Sequence, residues 1–337
     1  MAMSVTIRDV AREAEVSVAT VSRALNNQDN VAAAVRQRVR AVADRLKYTP
    51  HHAARSLSSR RTQTIGVVLP DLYGEFFSEL MFGIDKVARE HGLHLLVSSY
   101  HGDPVEQGAA LRSMRGRVDG LLVMSPYADE DAHLADALAA SVDAVLINAR
   151  PLPGERRALG IDNHAGARAM VAHLVANGRA SIAFIAGPDG NFDASERLRG
   201  YRDALAELLP QAQAWVLPGD FSEASGQRAA QDLLAAPRRP DAVFAANDMM
   251  ALGCLFALLE AGVEVPGQVA VAGFDDIPLA RYVRPALTTM RVDIAELGAD
   301  AMRLLLSPSE AAGAPHARVP ALVPRDSSVA RTPPDSS

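Results

Sequence analysis

The hydrophobic period of this 337-residue chain changes at Ile65, and that change constrains the fold more than any other feature. Upstream, apolar residues recur at helical spacing in short segments. Thr6 and Asp9 form a capping-box pair, and Ile7, Val10, Ala11 and Ala14 then predict a short first helix. Glu15 and Val16 read as a turn, and Ser17 as the N-cap of a second helix over 18–25 whose Val21 and Leu25 point inward. Val35, Val39, Val42 and Leu46 mark a third helix that ends before Thr49-Pro50. Two short helices across a tight turn, closed by a third, make a helix-turn-helix unit.

Downstream, short apolar runs alternate with longer amphipathic stretches. Strands are expected at 65–69, 93–98, 120–124, 144–147, 181–186, 242–245 and 269–273, with helices at 76–90, 104–115, 129–140, 164–177, 194–208, 222–234 and 249–261. Strands buried on both faces and separated by crossover helices imply parallel sheets. One sheet does not hold them all, so the expected core is two-lobed α/β, with Ile161-Asp162-Asn163 as the crossing between lobes. Ligands of such folds sit at the carboxyl ends of the strands, which here means the cleft.

Hydrophobic residues make up 49% of the chain and charged residues 22%, a globular composition. No apolar run reaches the roughly 18 residues of a membrane span, and Arg8 and Asp9 interrupt the N-terminus where a signal peptide needs apolar residues, so a cytoplasmic protein is expected. Cys254 is the only cysteine, placed in an apolar stretch that reads as helix core. Net charge is −6, yet residues 1–61 hold eleven Lys/Arg against five Asp/Glu. A basic head on an acidic body suits a polyanion bound at one end, although a solvated helix face carries charge equally well.

The run Thr6-Ile7-Arg8-Asp9-Val10-Ala11, then Val16-Ser17-Val18-Ala19-Thr20-Val21-Ser22-Arg23-Ala24-Leu25-Asn26, resembles the LacI/GalR family of repressors. The likeness continues through Tyr48-Thr49-Pro50 and Ala53-Ala54-Arg55-Ser56-Leu57, and into the core through Val118-Asp119-Gly120, Arg197-Leu198-Arg199-Gly200-Tyr201, Asn247-Asp248 and Gly273-Phe274-Asp275-Asp276. It implies a small all-α helix-turn-helix domain over 1–49, a hinge helix over 50–61 and a periplasmic-binding-protein-like core over 62–329, with residues 330–337 as a disordered tail. Its partners would be a double-stranded operator with an inverted repeat, a second copy of the chain, and a small polar effector, namely a sugar or sugar derivative.

By the same resemblance, the second helix lies in the major groove with Val18, Ala19, Ser22 and Arg23 nearest the bases. Arg23 can fork onto guanine, whereas Val18 and Ala19 offer only apolar contact. Ser17, Thr20, Ser22 and Asn26 are short donors suited to phosphates, and Thr6 joins the DNA-facing set; as an alternative they are caps and solvated surface. In the hinge, Ala54, Arg55 and Leu57 face the minor groove, Leu57 as the wedge that kinks a central CG step.

The resemblance assigns Phe77, Arg150, Arg197, Phe221, Asn247 and Asp275 to the effector cleft. Planar polar groups for hydroxyl pairs and aromatic faces for C–H surface are what a sugar needs. Other readings stay open: Asn247 as a helix N-cap, Asp275 as a turn residue, Arg197 as a surface arginine, Phe221 as core. Arg150 with Arg197 would suit an acidic ligand, and a purine-like corepressor is a further alternative. An exported solute-binding protein would need a signal peptide in place of the basic head. An enzyme would need a motif that is missing: there is no G-x-G-x-x-G, no Walker A sequence and no metal-spaced cluster, so neither cofactor nor metal is expected.

Overall fold

The computed structural model describes residues 5–25, 30–48, 61–127, 143–149, 157–307 and 316–329. The expected helix at 129–140, most of the hinge, Asn26, Ala54, Arg55, Leu57, Arg150 and the tail at 330–337 lie outside them. The described residues form two compact units, one of residues up to 63 together with 117–119, the other of 64–116 and 120 onward.

In the first unit, helices α1 (Ile7–Glu13), α2 (Val18–Leu25) and α3 (Ala33–Arg45) follow the expected order. The capping box closes α1: Asp9 accepts from the Thr6 backbone N–H at 3.0 Å and from its hydroxyl at 2.7 Å. Ser17 caps α2, its hydroxyl accepting from the Thr20 N–H at 3.1 Å. Val10, Ala14, Val21, Ala24 and Val39 are fully buried between the helices, with Val35 and Leu46 packed at the margin. Near residue 63 the chain is fastened by Asp119, which accepts from Thr62 N–H at 2.6 Å, Thr62 hydroxyl at 2.9 Å and Gln63 N–H at 2.8 Å.

The second unit begins β1 (Thr64–Leu69), α4 (Glu75–Glu90), β2 (His94–Ser99), α5 (Pro104–Met114), β3 (Gly120–Met124), β4 (Ala144–Ile147) and β5 (Arg157–Ile161). Next come α6 (Asn163–Ala176), β6 (Ile182–Ile185), α7 (Phe192–Leu208), β7 (Trp215–Leu217), α8 (Glu223–Ala235), β8 (Ala242–Ala245), α9 (Asp248–Glu260) and β9 (Ala270–Ala272). The chain ends with β10 (Thr289–Arg291), α10 (Ile294–Leu306), β11 (His316–Arg318) and β12 (Ala321–Val323). Among the described residues these make a six-stranded parallel sheet ordered β11-β5-β4-β3-β1-β2 and a four-stranded parallel sheet ordered β7-β6-β8-β9. Five strands and helix α10 go beyond the expected elements. Four of those strands are three residues long, too short for a pattern to show.

The expected crossing is present, since β5 belongs to the first sheet and β6 to the second. Two further crossings were not expected. After β9 the chain forms β10, returns to the first lobe as α10 against α4, adds β11 beside β5, and comes back as β12, paired antiparallel to β10. Helices α4 and α10 meet at glycine: a Cβ at Gly83 would stand 1.7 Å from the Ala295 carbonyl oxygen. Cys254 is buried in α9 and burial pushes its thiol up to about 12, an inert core residue as expected. No helix among the described residues is long and apolar enough to cross a membrane.

Candidate ligand cleft and nucleic-acid face

Both sheets switch strand order beside their first strand, β1 against β2 and β3 in one and β6 against β7 and β8 in the other. The turns that leave the carboxyl ends of these strands converge on one cleft of about 230 Å³. Tyr73 comes from the turn after β1 and Phe76 and Phe77 from the start of α4 that follows it, Tyr127 from the turn after β3, Asp193 and Arg197 from the first turns of α7, Phe221 from the turn after β7, Asn247 from that after β8 and Asp275 from that after β9. Of the six residues assigned by resemblance, the cleft brings together Phe77, Arg197, Phe221, Asn247 and Asp275; Arg150 is the one outside the described residues.

Arg197 organises the second lobe's wall. Its Nε donates to Asn163 Oδ1 at 2.8 Å and its Nη1 to the Ala246 carbonyl at 2.5 Å, while Nη2 lies 3.3 Å from Asp275 Oδ1. The guanidinium rests 3.9 Å above the Phe274 ring. It is therefore not a surface arginine: at 3% exposure, each of its three nitrogens has a protein partner. Burial raises the Asp275 carboxyl to about 7, with Arg197 opposing the shift. Asp275 has φ +119° and Asp276 φ +57°, two strained residues in a row. Their turn is held by Asp248, whose carboxylate accepts from the Thr289 hydroxyl at 2.6 Å and the Ile277 N–H at 3.0 Å, and by an Arg325–Asp276 ion pair at 2.5 Å.

Asn247 serves two structural ends. Its Oδ1 caps α9 through the Met250 N–H at 3.0 Å, and its Nδ2 donates to the Phe221 carbonyl at 3.0 Å. Phe221, at φ +70°, fits against Gly187, where a Cβ would stand 2.5 Å from the ring. Across the cleft, Phe76 and Phe77 meet edge to face at 5.5 Å. The lobes also touch directly, the Phe192 N–H donating to the Pro126 carbonyl at 2.6 Å.

Two polar residues beside these were missed by sequence reasoning. Asp193, at the start of α7, is 6% exposed and accepts from Asn163 Nδ2 at 2.8 Å; burial lifts its carboxyl to about 6, with Arg197 opposing. Asn148, just past β4, is buried with neither side-chain polar atom within good hydrogen-bond geometry of a partner among the described residues, and its amide lies near enough to Asp193 to favour the ionised carboxylate. Nothing in the sequence marks Asn148. Asn191 before Asp193 shows only a helix start, and indeed it caps α7 through the Ala194 N–H at 3.0 Å.

On the head, Ser17, Val18 and Ala19 are exposed along α2, with Thr20, Ser22 and Arg23 half-buried. The Arg23 Nε donates to the Ala19 carbonyl at 3.1 Å. Ser17 and Thr20 also hydrogen-bond each other at 2.9 Å, and Thr6 is tied to Asp9, so two of the candidate phosphate donors, Thr6 and Ser17, double as caps.

A helix-turn-helix head and a two-lobed parallel α/β core with a polar cleft define a class: DNA-binding regulators that carry their own small-molecule receptor. Comparison with known proteins agrees. Residues 6–51 match the model of bacterial regulatory proteins of the lacI family, and residues 171–328 that of a periplasmic binding protein-like domain. The transcriptional regulator GalR of Salmonella typhimurium (strain SL1344) is 39% identical over 305 residues, 90% of this chain and 89% of GalR. The solved lac repressor dimer bound to operator and the anti-inducer ONPF superposes with a TM-score of 0.86 at 31% identity, over 97% of this chain and all of that one. A complex of the transcriptional regulator CelR with cellobiose gives a TM-score of 0.69 at 31% identity, over 96% of this chain and 99% of that one. The chain belongs to the LacI family of transcriptional regulators.

Proposed function

We propose that this chain is a cytoplasmic repressor that binds an inverted-repeat operator as a dimer and releases or tightens on it when a sugar occupies the cleft. The observation that carries the reading is the pairing, in one chain, of an exposed α2 face with a buried polar cleft faced by aromatic rings. Arg23 reads a guanine, Val18 and Ala19 make apolar base contacts, and Thr6, Ser17, Thr20, Ser22 and Asn26 meet phosphates. Ala54, Arg55 and Leu57 contact the minor groove, Leu57 at the operator's centre. Two-fold symmetry of the dimer requires two half-sites in opposite orientation. The effector lies among Phe77, Arg150, Arg197, Phe221, Asn247 and Asp275. A sugar suits such a wall because rings cover its C–H faces while amide and carboxylate groups take its hydroxyls. The relative CelR was solved with cellobiose, which favours the same ligand class here.

The reading is tested by selecting random DNA duplexes on the purified full-length chain. An inverted repeat with a central pyrimidine–purine step is the expected product. Enrichment of a single unrepeated half-site, or of no sequence, would contradict it.

A further inference from the structure

Resting on the regulator reading, we propose that Asp119 is a positioning residue for DNA binding: it fixes the direction in which the chain arriving from the head enters the core, and operator affinity depends on it. The feature behind this is a carboxylate clasp. Asp119 stands immediately before β3 and accepts from the two backbone N–H groups that lead into β1, Thr62 to Oδ1 at 2.6 Å and Gln63 to Oδ2 at 2.8 Å. A third bond comes from the Thr62 hydroxyl at 2.9 Å. Hydrogen bonds to an ionised acceptor are roughly twice as strong as neutral ones, so three on one half-buried carboxylate hold this stretch firmly.

The second lobe supplies an internal comparison. Asp241 stands immediately before β8 and accepts from the Ala180 N–H at 2.9 Å and the Ser181 N–H at 3.0 Å, which lead into β6. The two clasps occupy matching places, since β1 pairs with β3 as β6 pairs with β8. They differ in detail. In the first lobe the held residues lie one residue further from the paired strands, Gln63 being two before Ile65 and Ser181 one before Ile182. Gln63 has φ +52°, left-handed backbone that strains a non-glycine residue, whereas neither Ala180 nor Ser181 has a positive φ. The hydroxyl bond has no counterpart either, because alanine stands at 180.

What each clasp holds also differs. Asp241 holds the chain that leaves α6, a helix packed against α7 and β8 of the same lobe. Asp119 holds the end of the connector from the head, directly after the segment read as a hinge over 50–61. Stabilising a lobe needs only the plainer form. The added bond and the left-handed residue sit where the connector's direction is set, and they keep Thr62 and Gln63 in a conformation that relaxes once the carboxylate is lost. Two heads on a two-fold operator must reach half-sites at a fixed spacing. A connector free to swing spends less time in the arrangement that fits, and one that fits a tenth of the time binds about 10-fold more weakly.

The test compares Asp119→Asn, Asp241→Asn and Thr62→Val with the parent, all as full-length chains, by thermal unfolding and by titration of both the selected operator and an unrelated duplex. Asparagine puts an amide donor where a backbone N–H needs an acceptor, so both aspartate variants should melt lower by similar amounts. Only Asp119→Asn should lose operator affinity, by about 10-fold, with binding to the unrelated duplex unchanged because the head's phosphate contacts remain. Thr62→Val removes one bond while keeping the side chain's shape, and should lose about 3-fold. An equal loss in Asp241→Asn would reduce Asp119 to a stabilising residue and overturn the inference, as would full operator affinity in Asp119→Asn. If Asp119→Asn does not fold, unchanged operator affinity in Thr62→Val overturns it in the same way. A parent chain that selects no duplex would strike the regulator reading and the inference with it, whereas a selected operator bound alike by all four chains strikes the inference alone.

Discussion

Val18 stands 41% exposed on the head's second helix, whereas Arg197 and Asp275 in the cleft are 3% and 4% exposed, and that contrast runs through the two regions. On the head, the candidate base-reading side chains lie outside a small core of Val10, Val21, Ala24 and Val39, so reading and folding are largely separable. In the cleft, each polar group is also a structural partner: Arg197 ties α7 to the turn after β8, and Asn247 caps a helix while holding Phe221. Substitution should therefore give cleaner functional losses on the head than in the cleft. Ser17 is where the contrast blurs, being both a cap and a candidate phosphate contact.

The largest expected effect is in the cleft. Arg197→Leu removes hydrogen bonds to Asn163 and Ala246 and leaves Asp275 buried without its cation. Breaking a buried pair costs about 3–5 kcal/mol, and Asp275 can soften this by taking a proton, so a loss of about 3 kcal/mol in core stability is expected by thermal or denaturant unfolding. A variant as stable as the parent would show that the network is not structural.

A smaller and opposite case is Arg23→Ala. The side chain is near the surface and makes one bond, to the Ala19 carbonyl. Stability should move by less than about 0.5 kcal/mol, while operator affinity falls by about 1–3 kcal/mol with relaxed preference at one base pair. Unfolding of the head in this variant, or unchanged preference, would break the contrast between the regions.

What the sequence made legible follows the same division. The head's three helices were readable because caps and inward valines repeat at short range, as Thr6–Asp9 and Ser17 show. Core strands buried on both faces announced themselves as apolar runs, and Gly120–Met124, Ala144–Ile147 and Ala242–Ala245 have the expected bounds. Helix α10 was overlooked although Ile294, Leu297, Met302 and Leu305 line one face; Gly298 interrupts it, and Asp293 before it is left-handed and makes no cap bond. The returning strands carry only three residues each, stabilised by partners far along the chain. Asp193 and Asn148 were illegible for a related reason. Their proximity is made by topology, and burial of a lone polar residue leaves no periodic trace.

That the cleft governs the head is decided by titrating a selected operator with the full-length chain, with and without a saturating sugar identified by calorimetry. Linkage between two sites typically amounts to about 1–3 kcal/mol, so operator affinity should change about 5- to 150-fold. Asp275→Asn keeps the shape of the buried site while removing a charge, and it should still bind operator while losing most of that response. An operator affinity that stays the same while the sugar is demonstrably bound to the unaltered chain would contradict the coupling.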